Sequence, residues 1–200
     1  MGLKCRRNVT MILFALPGLG CIAVRSDEEV ALAWPPEAES TLQPLTLRFS
    51  MKVSINGAEQ DGFTHLEEEA KKIAFDTYAS AGVFGDVIPH SEPGRMIADI
   101  VLENHESANN ALLVLFVFVS TLIPAYVEDN LTLTTTLKDG NDRTVATIRK
   151  SAQLTTWMQL FLLFGMPFAY PTSVMRDLQT QLHRETIHEM ISRGVFAEYR

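Results

Sequence analysis

The sequence predicts an α+β domain, with a small antiparallel or mixed sheet and two helices packed on it, after a signal peptide and a linker. Three observations lead to this prediction. Residues 45–55 alternate apolar and polar side chains, two later segments carry apolar stripes at helical spacing, and residues 131–154 have the pattern of a hairpin. Helices on one face of a sheet are the simplest architecture for this order of elements.

The amino-acid composition indicates a globular protein and argues against several other classes. The 200 residues are 46% hydrophobic and 20% charged, which fits one globular domain, here expected over residues 44–200. A formal net charge of −7 argues against a nucleic-acid binder that works through a general basic field. Two cysteines are too few for a disulfide scaffold or a thiolate zinc cluster.

The first strand and helix have clear boundaries. The period of two over 45–55 buries one face of a strand, and Asn56-Gly57 ends it with a turn pair. Thr64 and Glu67 then form a capping-box pattern, which predicts a helix that ends near Gly82. Its apolar stripe consists of Leu66, Ala70, Ile73, Ala74 and Tyr78.

Two short strands are expected at 83–88 and 96–103. The hairpin follows, with a turn at 139–142 and a return strand over 143–154. A closing helix is predicted after Pro171, capped by Thr172 or Ser173, ending near Gly194. Its inward residues are Val174, Leu178, Leu182, Ile187, Met190 and Ile191.

Two almost unbroken apolar segments, 111–127 and 157–170, flank the hairpin. They fit core elements, an exposed apolar surface, or two membrane spans, although each is short for a span. Because hairpin pairing brings their near ends together, we expect a contiguous patch that contacts the membrane or a partner. Its residues are Phe116, Phe118, Trp157, Phe161, Phe164 and Phe168.

Residues 1–20 have the layout of a signal peptide. Lys4, Arg6 and Arg7 form a basic region, an apolar run covers 9–16, and 17–20 contains Pro and Gly. The apolar run is less than half of the ~20 residues that span a bilayer.

Gly20-Cys21 directly after this run resembles the cleavage site of bacterial lipoproteins. The resemblance implies that Cys21 becomes the lipidated, palmitate-bearing first residue of the mature chain. In that family an Asp after the cysteine favours the inner membrane, so Ile22 indicates an outer-membrane anchor facing the periplasm, with the inner membrane as the alternative. General signal peptidase cleavage after Ala23 would instead give a soluble protein, and a myristoylated Gly2 would leave the apolar run unexplained.

The interrupted, acidic stretch that follows predicts a linker, so residues 21–43 form the lipidated N-terminus and linker. A threonine-rich strand follows later in the chain, and it fits a ligand-facing or a solvent-facing surface. Its residues are Thr132, Thr134, Thr135 and Thr136.

Motifs for catalysis were not found, since the chain has no glycine-rich phosphate loop and no Gly-x-Ser-x-Gly elbow. His183 and His188 are five residues apart and leave different faces of a helix, which favours a solvated face over a metal site. His65 and His105 fit surface positions. No metal, no cofactor and no catalytic residue are therefore expected.

The function predicted from the sequence is that of a cell-envelope lipoprotein with a non-catalytic binding or assembly role. Its partners would be the membrane, through the lipid anchor, and an envelope protein, but not nucleic acid. Its outline is similar to that of accessory lipoproteins of secretion and polysaccharide export systems. Two alternatives stay open: a periplasmic enzyme with a loop site near Asp86, His90 and Glu92, and a membrane protein with two short spans.

Overall fold

A computed structural model describes residues 20–26, 31–37, 44–89, 96–108, 125–159 and 170–196. In these residues the chain forms seven strands and two helices. The strands are β1 (Gly20–Arg25), β2 (Leu45–Ile55), β3 (Ala58–Gln60), β4 (Val87–Pro89), β5 (Met96–Ala108), β6 (Ala125–Lys138) and β7 (Thr144–Gln159). The helices are α1 (Thr64–Ser80) and α2 (Pro171–Ser192).

The strands form one mixed, open sheet in the order β1-β7-β6-β5-β2-β3, and β4 pairs with β2 beside β3. β2 and β5 are parallel, with α1 between them in the chain, and the β5–β6, β6–β7 and β7–β1 pairs are antiparallel. The α+β prediction with two helices on a mixed sheet is confirmed.

The predicted strand 45–55 is confirmed at both ends, whereas the strands of the hairpin are longer than predicted. β6 begins at Ala125 and β7 ends at Gln159, so both strands continue into the flanking apolar segments. The apolar–polar alternation breaks down there, because β6 begins with three apolar residues (125–127) followed by three polar ones (128–130), and β7 ends Thr-Thr-Trp-Met-Gln. Periodicity alone therefore cannot mark these ends.

The predicted linker is wrong at its start. Residues 20–25 form β1, which pairs with residues 154–159 of β7 at one edge of the sheet. Part of the remaining stretch also packs on the domain, because the Trp34 ring lies 4.9 Å from the Arg184 guanidinium and the His188 Nε2 atom lies 2.9 Å from the Ala33 carbonyl oxygen. The apolar alternation of β1 covers too few residues to predict a strand.

Both helix caps differ from the predicted ones. Thr64 lies inside α1, whose N-cap is Phe63 and receives no side-chain hydrogen bond, so the capping box is wrong. Tyr170 is the N-cap of α2 and Pro171 takes the first helical position, so Thr172 and Ser173 do not cap it. Proline is favoured there because the first helical amide has no partner within the helix.

The core lies between the helices and one face of the sheet. Five of the six buried residues described in β6 are at odd positions, whereas the even positions, which include Thr134, Thr136 and the also buried Thr132, face the opposite side. We call the side that packs on α1 and α2 the inner face and the other side the outer face. Thr135 belongs to the inner set and is fully buried, so the prediction of one threonine-rich binding or solvent surface is wrong at this residue.

The centre of the core contains three buried polar side chains, Tyr78, Thr135 and His183. The rings of Tyr78 and His183 meet edge to face with centroids 5.8 Å apart, and the Tyr78 hydroxyl faces Thr135. The two hydroxyls and the His183 Nδ1 atom form no hydrogen bond of ordinary geometry with any residue that the structure describes. Burial lowers the pKa of His183 to about 3 and raises the pKa of Tyr78. The expectation of a solvated His183 is therefore wrong.

We predict that His183 makes stability depend on pH below about 6.5. The unfolded histidine binds a proton with a pKa of ~6.5, whereas the native side chain stays neutral down to about 3. The free energy of unfolding should therefore fall by up to ~1.4 kcal/mol per pH unit as the pH decreases from ~6.5. Urea unfolding between pH 7 and 5 measures this slope.

His183→Gln is the matched variant for this experiment, since the other four histidines remain. For this variant, the free energy of unfolding should change less steeply with pH over the same range. The difference should correspond to the uptake of about one proton fewer on unfolding. Equal slopes in the two proteins would contradict the inference that His183 causes the pH dependence.

Candidate functional site

One end of the sheet holds two of the residues that the sequence predicts to be functional, Cys21 and Trp157. Strand pairing aligns Cys21 with Met158, Ala125 with Met158, and Ala108 with Val127. The start of β1, the end of β5, the start of β6 and the end of β7 are therefore neighbours. We call this region the Cys21 end.

A row of three apolar side chains crosses the outer face at the Cys21 end. Trp157 of β7 lies directly opposite Ile22 of β1 on one side and Tyr126 of β6 on the other. The Tyr126 and Trp157 rings are 5.3 Å apart, and the two residues are 39% and 38% exposed. Val24, 49% exposed, lies two residues farther along β1. Large apolar side chains at this exposure are unusual beside the polar residues of the rest of the outer face.

The described residues that border the two apolar segments lie at the Cys21 end. The chain passes from Ala108 through residues 109–124 to Ala125, and from Gln159 through residues 160–169 to Tyr170. Of the six predicted contact residues, the structure describes only Trp157. Phe116, Phe118, Phe161, Phe164 and Phe168 lie outside the described residues, so their role stays a prediction.

Cys21 itself lies on the inner face of β1. Its neighbours at odd positions show the orientation: Ala23 is buried in the core, and the Arg25 guanidinium donates a hydrogen bond to Gln181 of α2. Cys21 is half-buried, and partial burial raises the pKa of its thiol. Cleavage before Cys21 would leave residues 21–25 and their pairing with β7 in place.

A cleft of about 270 Å³ opens between both helices and the inner face near the Cys21 end. Its walls are mostly apolar, and its polar side chains come from five elements: α1, β5, β6, β7 and α2. The apolar lining consists of Met51, Leu66, Ala70, Ile73, Leu131, Leu154, Pro171 and Met175. The polar lining consists of Glu69, Asn104, Glu106, Asp129, Thr156, Thr172, Arg176 and Gln179. We call this space the acidic cleft.

Two carboxyl groups face each other on the floor of the acidic cleft. Glu106 of β5 and Asp129 of β6 are direct cross-strand partners, and Asp129 is only 9% exposed. Burial raises the pKa of both, and the Asp129 charge raises that of Glu106 further, while a hydrogen bond from Asn104 Nδ2 at 3.1 Å opposes the rise at Asp129. Like charges directly opposite each other on neighbouring strands destabilise a sheet.

Two amide side chains in the acidic cleft have hydrogen-bonding atoms that the described residues leave unused. The Asn104 Oδ1 atom is buried and accepts no hydrogen bond from the described part of the chain. Gln179 is only 8% exposed, and its side chain has no hydrogen bond within the described part of the chain. At the rim, Arg176 of α2 and Glu69 of α1 form an ion pair at 2.5 Å that connects the two helices.

The loop proposed for an enzyme site is described only in part. Asp86 is exposed and its backbone carbonyl accepts a hydrogen bond from the Leu45 amide, while His90 and Glu92 lie outside the described residues. His65 and His105 are exposed, as predicted, and the His105 ring contacts Ser54 at 2.6 Å. Within the described ranges no three His, Cys, Asp or Glu side chains come together as metal ligands.

The acidic cleft was not predicted from the sequence, although a signal for it exists. Asn104, Glu106 and Asp129 occupy positions that the alternation of β5 and β6 assigns to the inner face. Polar residues at buried positions of a strand break the local pattern, and such breaks are expected mainly at functional or strained sites. The predicted ends of both strands stopped short of these three residues, which hid the pattern.

Comparison with known proteins gives no relative: no protein-family model matches this chain, and none of the curated proteins is significantly similar to it. Neither helix in the described ranges is both long and apolar enough to cross a bilayer.

We predict that Asp129→Asn stabilises the protein at neutral pH. The substitution removes one charge of the Glu106–Asp129 pair but keeps an acceptor for Asn104. The free energy of unfolding should rise by ~0.5–1 kcal/mol at pH 7. The gain should shrink toward pH 4, where protonation neutralises the native pair as well.

Denaturant unfolding of both proteins at pH 7 and 4 measures the effect. The matched control is Glu128→Gln, which changes the preceding residue on the outer face and should shift stability by less. A lower stability of Asp129→Asn at pH 7 would contradict the inference that the Glu106 and Asp129 charges repel each other.

Proposed function

We propose that this chain is a cell-envelope lipoprotein that is anchored through Cys21, faces the periplasm from the outer membrane, and works by binding rather than catalysis. The observation that carries the proposal is the register that places Cys21 at the same end of the sheet as the Ile22–Trp157–Tyr126 row and the ends of both apolar segments. An acyl chain and an apolar surface would then meet the bilayer together.

The chemistry of the row supports a membrane contact. Trp and Tyr concentrate at membrane interfaces because their rings are apolar while each carries a polar group. Membrane affinity grows with the apolar area that enters the bilayer, so an apolar contact would add to the anchoring by the lipid on Cys21. The protein has a net charge of −7, which is unfavourable near anionic headgroups, so acyl chains and apolar contacts would have to supply the attraction.

The position of Cys21 in β1 also affects how far the sheet would lie from the bilayer. A lipid on the first residue of an edge strand would hold the sheet against the bilayer, whereas a flexible linker of twenty residues would hold it away. The partner of the binding role would then be a second envelope protein that reaches the domain close to the membrane surface.

Lipidation is tested first. In cells given a palmitate analogue, we expect label on the wild-type protein and none on Cys21→Ser. Intact-mass spectrometry should show a chain that begins at Cys21 and carries acyl mass. Cys5→Ser is the matched control and should be labelled like the wild type, since Cys5 leaves with the signal peptide. An unmodified chain that retains Met1 would contradict the proposal.

The apolar row is tested separately from the lipid. In the Cys21→Ser background, the double variant Tyr126→Ser, Trp157→Ser should bind liposomes at least ~10-fold more weakly than its parent, because it loses two interfacial rings. Thr134→Ser, on the outer face away from the Cys21 end, is the control. Equal liposome binding by all three proteins, with their melting transitions intact, would exclude the row as a contact.

A further inference from the structure

We propose that the acidic cleft binds a small organic ammonium ion, a protonated primary amine with an apolar body. The ammonium group would lie between Glu106 and Asp129, and the apolar body would lie along the wall formed by α1 and α2. This site goes beyond the envelope role and does not depend on lipidation.

The charge of the lining selects a cation. Three carboxyl groups line the acidic cleft, at Glu69, Glu106 and Asp129. Among the described lining residues the one cation is Arg176, and Glu69 at the rim already pairs with it. The two carboxyl groups on the floor are therefore left with the amide of Asn104 and with each other. A ligand cation would relieve both their repulsion and the cost of their burial.

The free hydrogen-bonding groups select a donor. The Asn104 Nδ2 group donates to Asp129, and within the described ranges its buried Oδ1 atom accepts no hydrogen bond. Gln179, more than nine-tenths buried, offers a further unpartnered amide from the opposite wall. A primary ammonium group carries three donors and no acceptor, so it matches two carboxylates and one amide oxygen. An anion or an ether would match none of them.

The size and walls of the acidic cleft select the rest of the molecule. Its volume of about 270 Å³ is near the lower end for ligand pockets. Leu66, Ile73, Leu131, Leu154 and Met175 give it a predominantly apolar surface. A strongly hydrated metal ion or polyamine would leave this surface unused, whereas a one-ring or short-chain amine would cover it.

The test uses the purified full chain and 2-phenylethylammonium as the probe, measured by isothermal titration calorimetry at pH 7. We expect saturable binding, and at least tenfold weaker binding of 2-phenylethanol, which keeps the apolar body and lacks the charge. Glu106→Gln and Asp129→Asn should each weaken amine binding at least tenfold. Glu103→Gln, on the outer face of the same strand as Glu106, is the matched control and should bind like the wild type.

Four results would overturn the proposal. Two concern the wild type: no binding of the amine, or equal binding of the amine and the alcohol. The third is full amine binding by the double variant Glu106→Gln/Asp129→Asn, and the fourth is binding of a lysine-containing peptide without binding of the amine. The last result would assign the acidic cleft to a protein partner. Far-UV circular dichroism and melting transitions confirm that each variant is folded. Gln179→Leu provides a second variant, remote from the carboxyl pair, for which we expect weaker amine binding with unchanged discrimination against the alcohol.

Discussion

The register of the β6–β7 hairpin is the constraint on which the rest of the molecule depends. It runs from the pair Ala125–Met158 to the pair Lys138–Thr144, and each of its strands carries a further strand, β5 on one side and β1 on the other. Because side chains alternate between the faces, a slip by one residue would move Asp129 to the outer face and Tyr126 to the inner face. Register therefore fixes the apolar row and the acidic floor at the same time.

Parts of the fold with a clean pattern could be predicted from the sequence. β2 alternates without interruption in its sequence, and its predicted bounds hold: Leu45, Leu47 and Val53 are buried, and Phe49 and Met51 between them are partly buried. β1 could not be predicted in this way, since its six residues acquire their burial from β7 and α2 rather than from a local pattern. The candidate anchor at Cys21 is likewise visible in the sequence, but its location beside Trp157 depends on pairing across more than one hundred residues.

Polar groups at inner-face positions occur in two different surroundings. Tyr78, Thr135 and His183 are sealed in the core, where desolvation keeps the histidine neutral and the groups lower the stability of the fold. Asp129 and Glu106 also bear a desolvation cost, but they line a cleft that a ligand could enter. Desolvation therefore only destabilises the fold at Tyr78, Thr135 and His183. At Glu106 and Asp129, a bound ligand could compensate for it.

The two proposals meet at the Cys21 end without depending on each other. Thr156 lines the acidic cleft and pairs with Ala23, two residues from Cys21, so the cleft opens on the inner side of the region that a lipid would hold at the bilayer. Amines with apolar bodies partition into the membrane interface, because their chains leave water while their charge stays hydrated. A cleft held at that depth would meet such molecules at a higher local concentration than one carried on a long linker. Pairing of β1 with β7 would then serve both anchoring and access to the ligand.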